Sequence, residues 1–256
     1  MDHARPPLPH RSRAEGAHAP ALGGRTLRTT AWRGRDDVAL VVPRPSASPP
    51  TAEDVARLVD AATGAGVQRL VTGALAEVEQ GPFLAAGFTE HDRLHLLRHD
   101  LVHIPEVPGV EARLHRARRG DHGAALAVDA EAFEPFWRLD QAGLDDALAA
   151  TTTARFRVAA TDRVVGYAVT GRAGERGYLQ RLAVDPAHRG RGVGAALVVD
   201  GLRWLRRRRA SSAVVNTQVG NEGAFALYQR LGFVPQPTGL TVLTLALGAA
   251  PESRPA

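Results

Sequence analysis

Apolar and polar positions along the chain alternate in short blocks that switch between a period of two and a period near 3.6, the signature of strands interleaved with helices. Asp37–Val42 (DDVALV), Val67–Thr72 and Phe88–Asp100 read as strands. Between them, Thr51–Thr63 and Ala76–Ala86 read as helices. Thr51 caps the first with Asp54 three residues on, and Gly87 ends the second. The order so far is βαβαβ. The proline-containing segment Ile104–Gly109 (IPEVPG) then leads to a fuller series. It predicts a strand at Ala112–Arg118, helices at Asp121–Phe133 and Leu144–Thr151, and strands at Arg155–Thr161, Val164–Arg172 and Gly177–Val184. A long helix to about Arg209, a strand at Ala213–Gln218, a helix at Glu222–Leu231, and strands at Phe233–Pro235 and Leu240–Leu247 follow. Residues 1–24, with Pro6, Pro7, Pro9 and Pro20, and residues 249–256 lack periodicity and are expected as disordered tails. The chain thus divides into a first unit at 25–108 and a second at 109–248.

The two units resemble each other. A shift of 145 residues lays Thr72 on Thr217, Gly87 on Gly232 and Phe88 on Phe233, so the first unit reads as a copy of the second without its front half. Composition narrows the class. With 44% hydrophobic and 23% charged residues the chain is globular. The absence of Cys excludes a disulfide framework, a thiolate metal site and a cysteine nucleophile, and makes a cytoplasmic address the expectation. No apolar run approaches the roughly 18 residues of a transmembrane helix, and Met1–Pro20 has no apolar core of a signal peptide, so no membrane partner is expected. All 32 basic residues are Arg, and against 27 acidic ones they leave a charge of +5. That excess suits an anionic partner, but only 5% aromatics argues against nucleic acid. His91, His95, His99 and His103 fall on one strand face; neighbours roughly 13 Å apart are too distant for one metal, so an exposed face and no metal are expected. Arg206–Arg209 suits the C-terminal end of a helix dipole.

The candidate chemistry lies in Tyr178–Gly194, YLQRLAVDPAHRGRGVG. An apolar strand ends at Asp185-Pro186, and a basic loop with Gly190, Gly192 and Gly194 runs directly into a helix. Glycines let backbone approach an anion, and the free N–H groups and dipole of a helix start favour negative charge there. Arg189 and Arg191 add positive charge where a pyrophosphate would lie. A Walker A loop is excluded because the chain has no Lys, and the glycine spacing of two and two does not meet the dinucleotide pattern GxGxxG.

This stretch resembles the GCN5-related N-acetyltransferase (GNAT) superfamily. The family signature Arg/Gln-x-x-Gly-x-Gly/Ala is met by Arg189-Gly190-Arg191-Gly192-Val193-Gly194, after Leu182-Ala183-Val184-Asp185-Pro186. A second family element is met by Asn221, Ala224, Leu227-Tyr228 and Gly232-Phe233. The resemblance covers about Glu111–Leu247 well and the first unit weakly. It implies an α/β fold with a mixed, mostly antiparallel central sheet flanked by helices, preceded here by the partial βαβαβ unit. It also implies acetyl transfer from acetyl-CoA to a primary amine by direct attack in a ternary complex. The backbone of residues 189–194 would hold the pyrophosphate and the strand Leu182-Ala183-Val184 the pantetheine arm. A bulge in that strand would free an N–H, at Leu182 or nearby, for the developing oxyanion.

Several residues keep two readings. Tyr228 matches the family's general acid toward the departing thiolate, yet Ala224, Leu227, Tyr228 and Leu231 also form a helical stripe that packs a core. The repeat-equivalent position holds Phe83 and the loop Pro45–Pro50 has no glycine run, so the first unit reads as catalytically dead. Asn221 suits both a cofactor contact and a helix cap, and Asn216 both a pantetheine or substrate contact and a plain strand end. Glu175 is the nearest carboxylate for a general base, but GRAGERG (Gly171–Gly177) is also a hairpin turn where an exposed Glu needs no role. Phe133, Phe136 and Trp137 lie where the fold builds its acceptor site, and equally suit an aromatic lid on the core. The acceptor is a small-molecule amine or a protein N-terminal amine; oligomeric state is open. The rival function is a CoA-binding regulatory module with weak turnover.

Overall fold

A computed structural model describes residues 22–33, 35–44 and 48–248; the side chain of Asp36 is not described. The expected tail 249–256, most of the tail 1–24, and residues 45–47 of the Pro45–Pro50 loop lie outside the described residues. The strands are β1 (Leu27–Trp32), β2 (Arg35–Pro43), β3 (Arg69–Thr72), β4 (Thr89–His99), β5 (Arg113–Arg116), β6 (Thr153–Ala160), β7 (Val164–Ala173), β8 (Arg176–Val184), β9 (Ser212–Gln218), β10 (Val234–Pro235) and β11 (Leu240–Ala246). The helices are α1 (Ala52–Gly64), α2 (Glu77–Ala85), α3 (His122–Ala132), α4 (Gln141–Ala149), α5 (Val193–Arg207) and α6 (Glu222–Arg230). None is long and apolar enough to cross a membrane.

The pattern of apolar positions located every element but β1. The stretch LRTTAW hides its alternation because one of its inward positions is Thr29, only 1% exposed, between Leu27 and Trp32. β1 turns the first unit from βαβαβ into ββαβαβ. Leu22 and Gly23, expected as tail, are also ordered against it: Thr29 N–H donates to the Leu22 carbonyl at 2.7 Å, and Gly23 bridges Arg28. The capping box at Thr51 and Asp54 forms as the sequence predicts.

All strands belong to one sheet of order β1-β2-β3-β11-β4-β9-β8-β7-β6-β5, with β10 paired beside β4. Most pairs are antiparallel; β2–β3 and β8–β9 are parallel. The sheet does not part at the proline-rich segment. β4 pairs with β9 over Leu94–His99 and Ala213–Gln218, while β11, at the other end of the chain, lies between β3 and β4. Each sequence unit therefore places a strand against the other unit's sheet. Unpaired backbone groups at a buried edge are costly, so this exchange satisfies both halves at once.

The expected exposed histidine face holds at His91 and His103 and fails toward the interior, where His95 is half-buried and His99 buried. His95 rests on Phe225 at 4.5 Å between ring centroids, His91 on Phe136 at 4.2 Å, and His99 is buried against Phe233 at 5.1 Å. β4 is interior to the fused sheet, and its neighbours supply the aromatic cover. The buried His99 accepts from Leu101 N–H through Nδ1, and desolvation pushes its pKa below the ordinary histidine value.

The repeat has a structural counterpart. Phe83 and Phe88 meet at 5.4 Å and Tyr228 and Phe233 at 5.6 Å. Phe88 N–H donates to the Phe83 carbonyl as Phe233 N–H does to that of Tyr228. Gly87 and Gly232 both adopt the left-handed conformation, at φ 87° and 89°, that lets the chain leave the helix.

Residues 109–256 expressed alone lack β3 and β4, so β9 loses its ladder to β4 and β11 loses both of its ladders. We expect no cooperative thermal transition and heavy aggregation of this fragment, against a single transition for the full chain, as read by circular dichroism and light scattering.

Candidate active site

The site begins where two parallel strands part. β8 and β9 pair only at Arg176–Tyr178 with Ser212–Val214. Beyond that point they diverge, and a cleft of about 790 Å³ opens between Leu179–Val184 on one side and Val215–Gln218 on the other. Along β8, every second backbone group on this stretch faces the cleft instead of a partner strand. The junction is tight: a Cβ on Gly177 would lie 2.4 Å from Leu205 Cδ1, so only glycine lets α5 pack over it without a shift.

β8 carries the expected bulge. Its register against β7 slips between the pairs Val169–Arg181 and Thr170–Leu179, leaving Gln180 as the extra residue, two positions before Leu182. Asp185 ends the strand by structure as well as by sequence. Its carboxylate accepts from Ala187 N–H at 2.8 Å and from Arg163 at 2.6 Å, which together hold it below the usual carboxylate range and pin the turn Pro186–His188. The chain then enters α5 through Gly190 and Gly192 at φ 75° and 81°. Gly192 is the helix N-cap and has no side chain to cap with. The first bond of the helix runs from Ala196 N–H to the Gly192 carbonyl, so the N–H groups before Ala196 are left toward the cleft. Left-handed glycines beside a helix start form an anion-binding concavity. A Cβ on Gly192 would also approach Val110 to 2.9 Å. These features fit a pyrophosphate and the rod-like arm of acetyl-CoA.

Of the sequence-predicted residues, Leu182, Ala183, Val184, Arg189, Gly190, Gly192, Val193, Gly194, Asn216, Asn221, Tyr228, Phe133 and Trp137 all line this cleft. Tyr228 sits on α6 at 5% exposure, and burial pushes its phenol pKa well up. Asn221 is at once a cleft residue and the cap of α6, accepting from Ala224 N–H at 3.1 Å. Arg189 reaches across to the Ala132 carbonyl at 3.2 Å.

Three residues are not brought in. Glu175 is exposed at the tip of the β7–β8 turn, where its carbonyl accepts from Ser211 N–H at 2.7 Å; the hairpin carries it away from the strand end that forms the cleft. Arg191 is exposed on the loop and does not line the cleft. Phe136 packs between Trp32 and His91, at 5.2 and 4.2 Å, where the first-unit strands meet the segment after α3. It serves that junction, while Trp137 beside it faces the cleft.

The structure adds residues that motif reading passed over. Asp129, fully buried, lies on the apolar stripe of α3 with Ala125 and Val128. It accepts from Arg181 Nε and Nη2 at 2.7 and 2.8 Å, from the Tyr167 hydroxyl at 2.6 Å and from Leu139 N–H at 2.7 Å. Arg181 also donates to the Trp137 carbonyl at 2.7 Å and stacks over Phe133 at 3.5 Å. One buried ion pair thus fixes β8 and both aromatic walls. A carboxylate on a helix's buried stripe was the available signal, since it requires a partner. Arg33, at the end of β1, and Leu94 on β4 line the cleft from the first unit.

Residues 122–233 match the model of the Acetyltransferase (GNAT) family, and the chain therefore carries a GNAT acetyltransferase family domain. Its sheet and flanking helices are those of that fold. The chain is 40% identical over 58 residues to N-alpha-acetyltransferase 30 of Schizosaccharomyces pombe, covering 23% of this chain and 39% of that protein. It is 36% identical over 132 residues to a mycothiol acetyltransferase of Streptomyces coelicolor, covering 48% of this chain and 43% of that one. The match thus spans less than half the length of either relative. Among solved structures, a tandem GNAT protein from the clavulanic acid biosynthesis pathway aligns over 88% of this chain and 79% of its own, with a TM-score of 0.62 at 16% identity.

Replacing Asp129 by Ala leaves the Arg181 guanidinium without its buried carboxylate. We expect a loss of about 3–5 kcal/mol in denaturant unfolding, far above an exposed ion-pair variant such as Glu53→Ala on α1.

Proposed function

We propose that this protein is an acetyl-CoA-dependent N-acetyltransferase that passes an acetyl group directly to a primary amine. The observation that carries the reading is the splayed β8–β9 cleft with the Gly190–Gly194 helix start on one side and Tyr228 on the other. Bound acetyl-CoA would supply an activated thioester. The N–H groups of the loop and the first turn of α5 would hold its pyrophosphate, with the helix dipole and Arg189 favouring the negative charge. The cleft-facing backbone of Leu182–Val184 would pair with the pantetheine amides, as an added strand pairs with a sheet edge. The bulge at Gln180 supports an N–H aimed at the thioester oxygen, where charge develops during attack.

Tyr228 supplies the proton for the leaving thiolate. Its burial keeps the phenol protonated through the neutral range, and the same low-polarity surroundings raise the basicity of a thiolate formed there. No described residue hydrogen-bonds its hydroxyl, so the proton is not already committed. Among the described residues the cleft lining holds no Asp or Glu, and Glu175 does not line it. We therefore assign no carboxylate base; the amine would enter neutral, favoured by the arginines that line the cleft.

The first unit, 25–108, reads as a truncated, inactive copy packed against a catalytic unit at 109–248. The matched Phe83–Phe88 and Tyr228–Phe233 geometry supports a tandem arrangement, and Phe83 offers no hydroxyl. The acceptor is a small-molecule amine or a protein N-terminal amine, and the Cys-free composition supports a cytoplasmic setting.

We expect Tyr228→Phe to lower kcat by about 10²-fold or more while the KM for acetyl-CoA stays within a factor of two, in an assay of CoA release over an amine panel. Gly192→Val should instead abolish stabilisation by acetyl-CoA in thermal unfolding. Acetyl-CoA binding with unchanged low turnover in Tyr228→Phe would favour a regulatory CoA-binding module.

A further inference from the structure

Arg33 is a cation at the aromatic end of the cleft that the reaction described above leaves unused. It reaches the site from the first unit, at the turn after β1, and lines the cleft beside Trp137 and Arg181. Its backbone is left-handed, at φ 51°, a conformation uncommon for a residue that carries a Cβ. The side chain is packed against the cleft's aromatic residues. The guanidinium lies 4.3 Å from the Trp32 ring centroid and 5.2 Å from that of Trp137. Its Nη1 donates to the Phe136 and Arg138 carbonyls at the long distances of 3.4 and 3.5 Å. Nε and Nη2 have no partner among the described residues.

No carboxylate pairs directly with this guanidinium among the described residues. Arg181 is neutralised by Asp129, and Asp140 is engaged in capping α4 through Gly143 N–H at 2.8 Å. Arg33 has no carboxylate within ion-pair distance among the described residues. Burial, and after it the nearby Arg181, disfavour its charged form more than the more distant Asp129 and Asp140 carboxylates favour it, a penalty that an incoming anion relieves. Arg33 is half-buried between the aromatic rings, and two planar donors remain without a protein partner. A guanidinium in that state matches a carboxylate, which accepts two parallel N–H bonds.

The geometry points to Arg33 as the acceptor-specificity residue: the acceptor is an amine that also bears a carboxylate, which the first unit's Arg33 receives while the amine faces the thioester. This deepens the acetyl-transfer reading and rests on it. It also gives the first unit a part in the site, since its inactive copy delivers the residue that selects the acceptor.

The test uses the full chain with saturating acetyl-CoA and a graded series of glycine, β-alanine, 4-aminobutyrate and 5-aminopentanoate, each beside its carboxamide. We expect kcat/KM to favour the acid over its amide by roughly tenfold or more for the chain length that spans from Arg33 to the thioester. In Arg33→Gln that ratio should collapse through KM with little change in kcat, and Arg33→Lys should restore part of it. Thermal shifts by the same pairs in the presence of CoA read the preference without turnover. Equal use and equal shifts for acid and amide would overturn the inference. So would a rise in the KM of acetyl-CoA in place of the acceptor's, which would assign Arg33 to the cofactor's phosphates. Failure of the acetyl-transfer reading itself is distinct: acetyl-CoA would then cause no shift, and no amine would release CoA.

Discussion

Beyond Val214, the inner half of β9 loses β8 as a neighbour, because the two parallel strands diverge to make the cleft. What holds Val215–Gln218 in extended form is the antiparallel ladder to β4, whose pairs run from Leu94 with Gln218 to His99 with Ala213. One wall of the cleft is thus maintained from the far side of the sheet, by a strand of the other unit. The same pairing makes β4 interior, and along its paired stretch His95 and His99 lie against Phe225 and Phe233. It also sets the end of β1 close enough for Arg33 to enter the cleft. Opening a site by separating strands has a cost in unsatisfied backbone, and the strand exchange confines that cost to the surfaces that meet the ligand.

The opposite wall is held by charge. Asp129 is enclosed by Arg181, Tyr167 and the Leu139 amide, so its position and that of β8 are fixed together. A buried pair of this kind contributes less to net stability than to uniqueness of arrangement: its loss is severe, while its presence mainly selects one geometry. Here the geometry selected includes Phe133 under Arg181 and the carbonyl of Trp137. The result is a cleft whose lining, among the described residues, carries arginines and no Asp or Glu, which suits an anionic ligand.

The glycine loop and α6 were legible in the sequence because each is local. Leu182–Gly194 is a strand, a capped turn and a helix start in continuous sequence, and Asn221 through Phe233 is a helix with its exit glycine. Both survive intact in the structure. What local pattern could not carry were long-range partners. β11 between β3 and β4, Asp129 with Arg181, and Arg33 beside Trp137 join residues distant along the chain. Glu175 shows the converse error: it is close in sequence to the signature strand, but a hairpin tip places it at the wrong end of that strand. β1 was missed because Thr29 occupies a buried position that hydrophobic counting scores as polar.

Amide hydrogen exchange with and without acetyl-CoA tests the central claim most directly, since the account rests on backbone N–H groups of named segments. Protection should rise in residues 179–184 and 190–195, and in 215–218 on the facing wall, with the outer strands β5 and β6 unchanged. Unaltered exchange across both segments at saturating acetyl-CoA, or protection confined to residues away from the β8–β9 cleft, would contradict it.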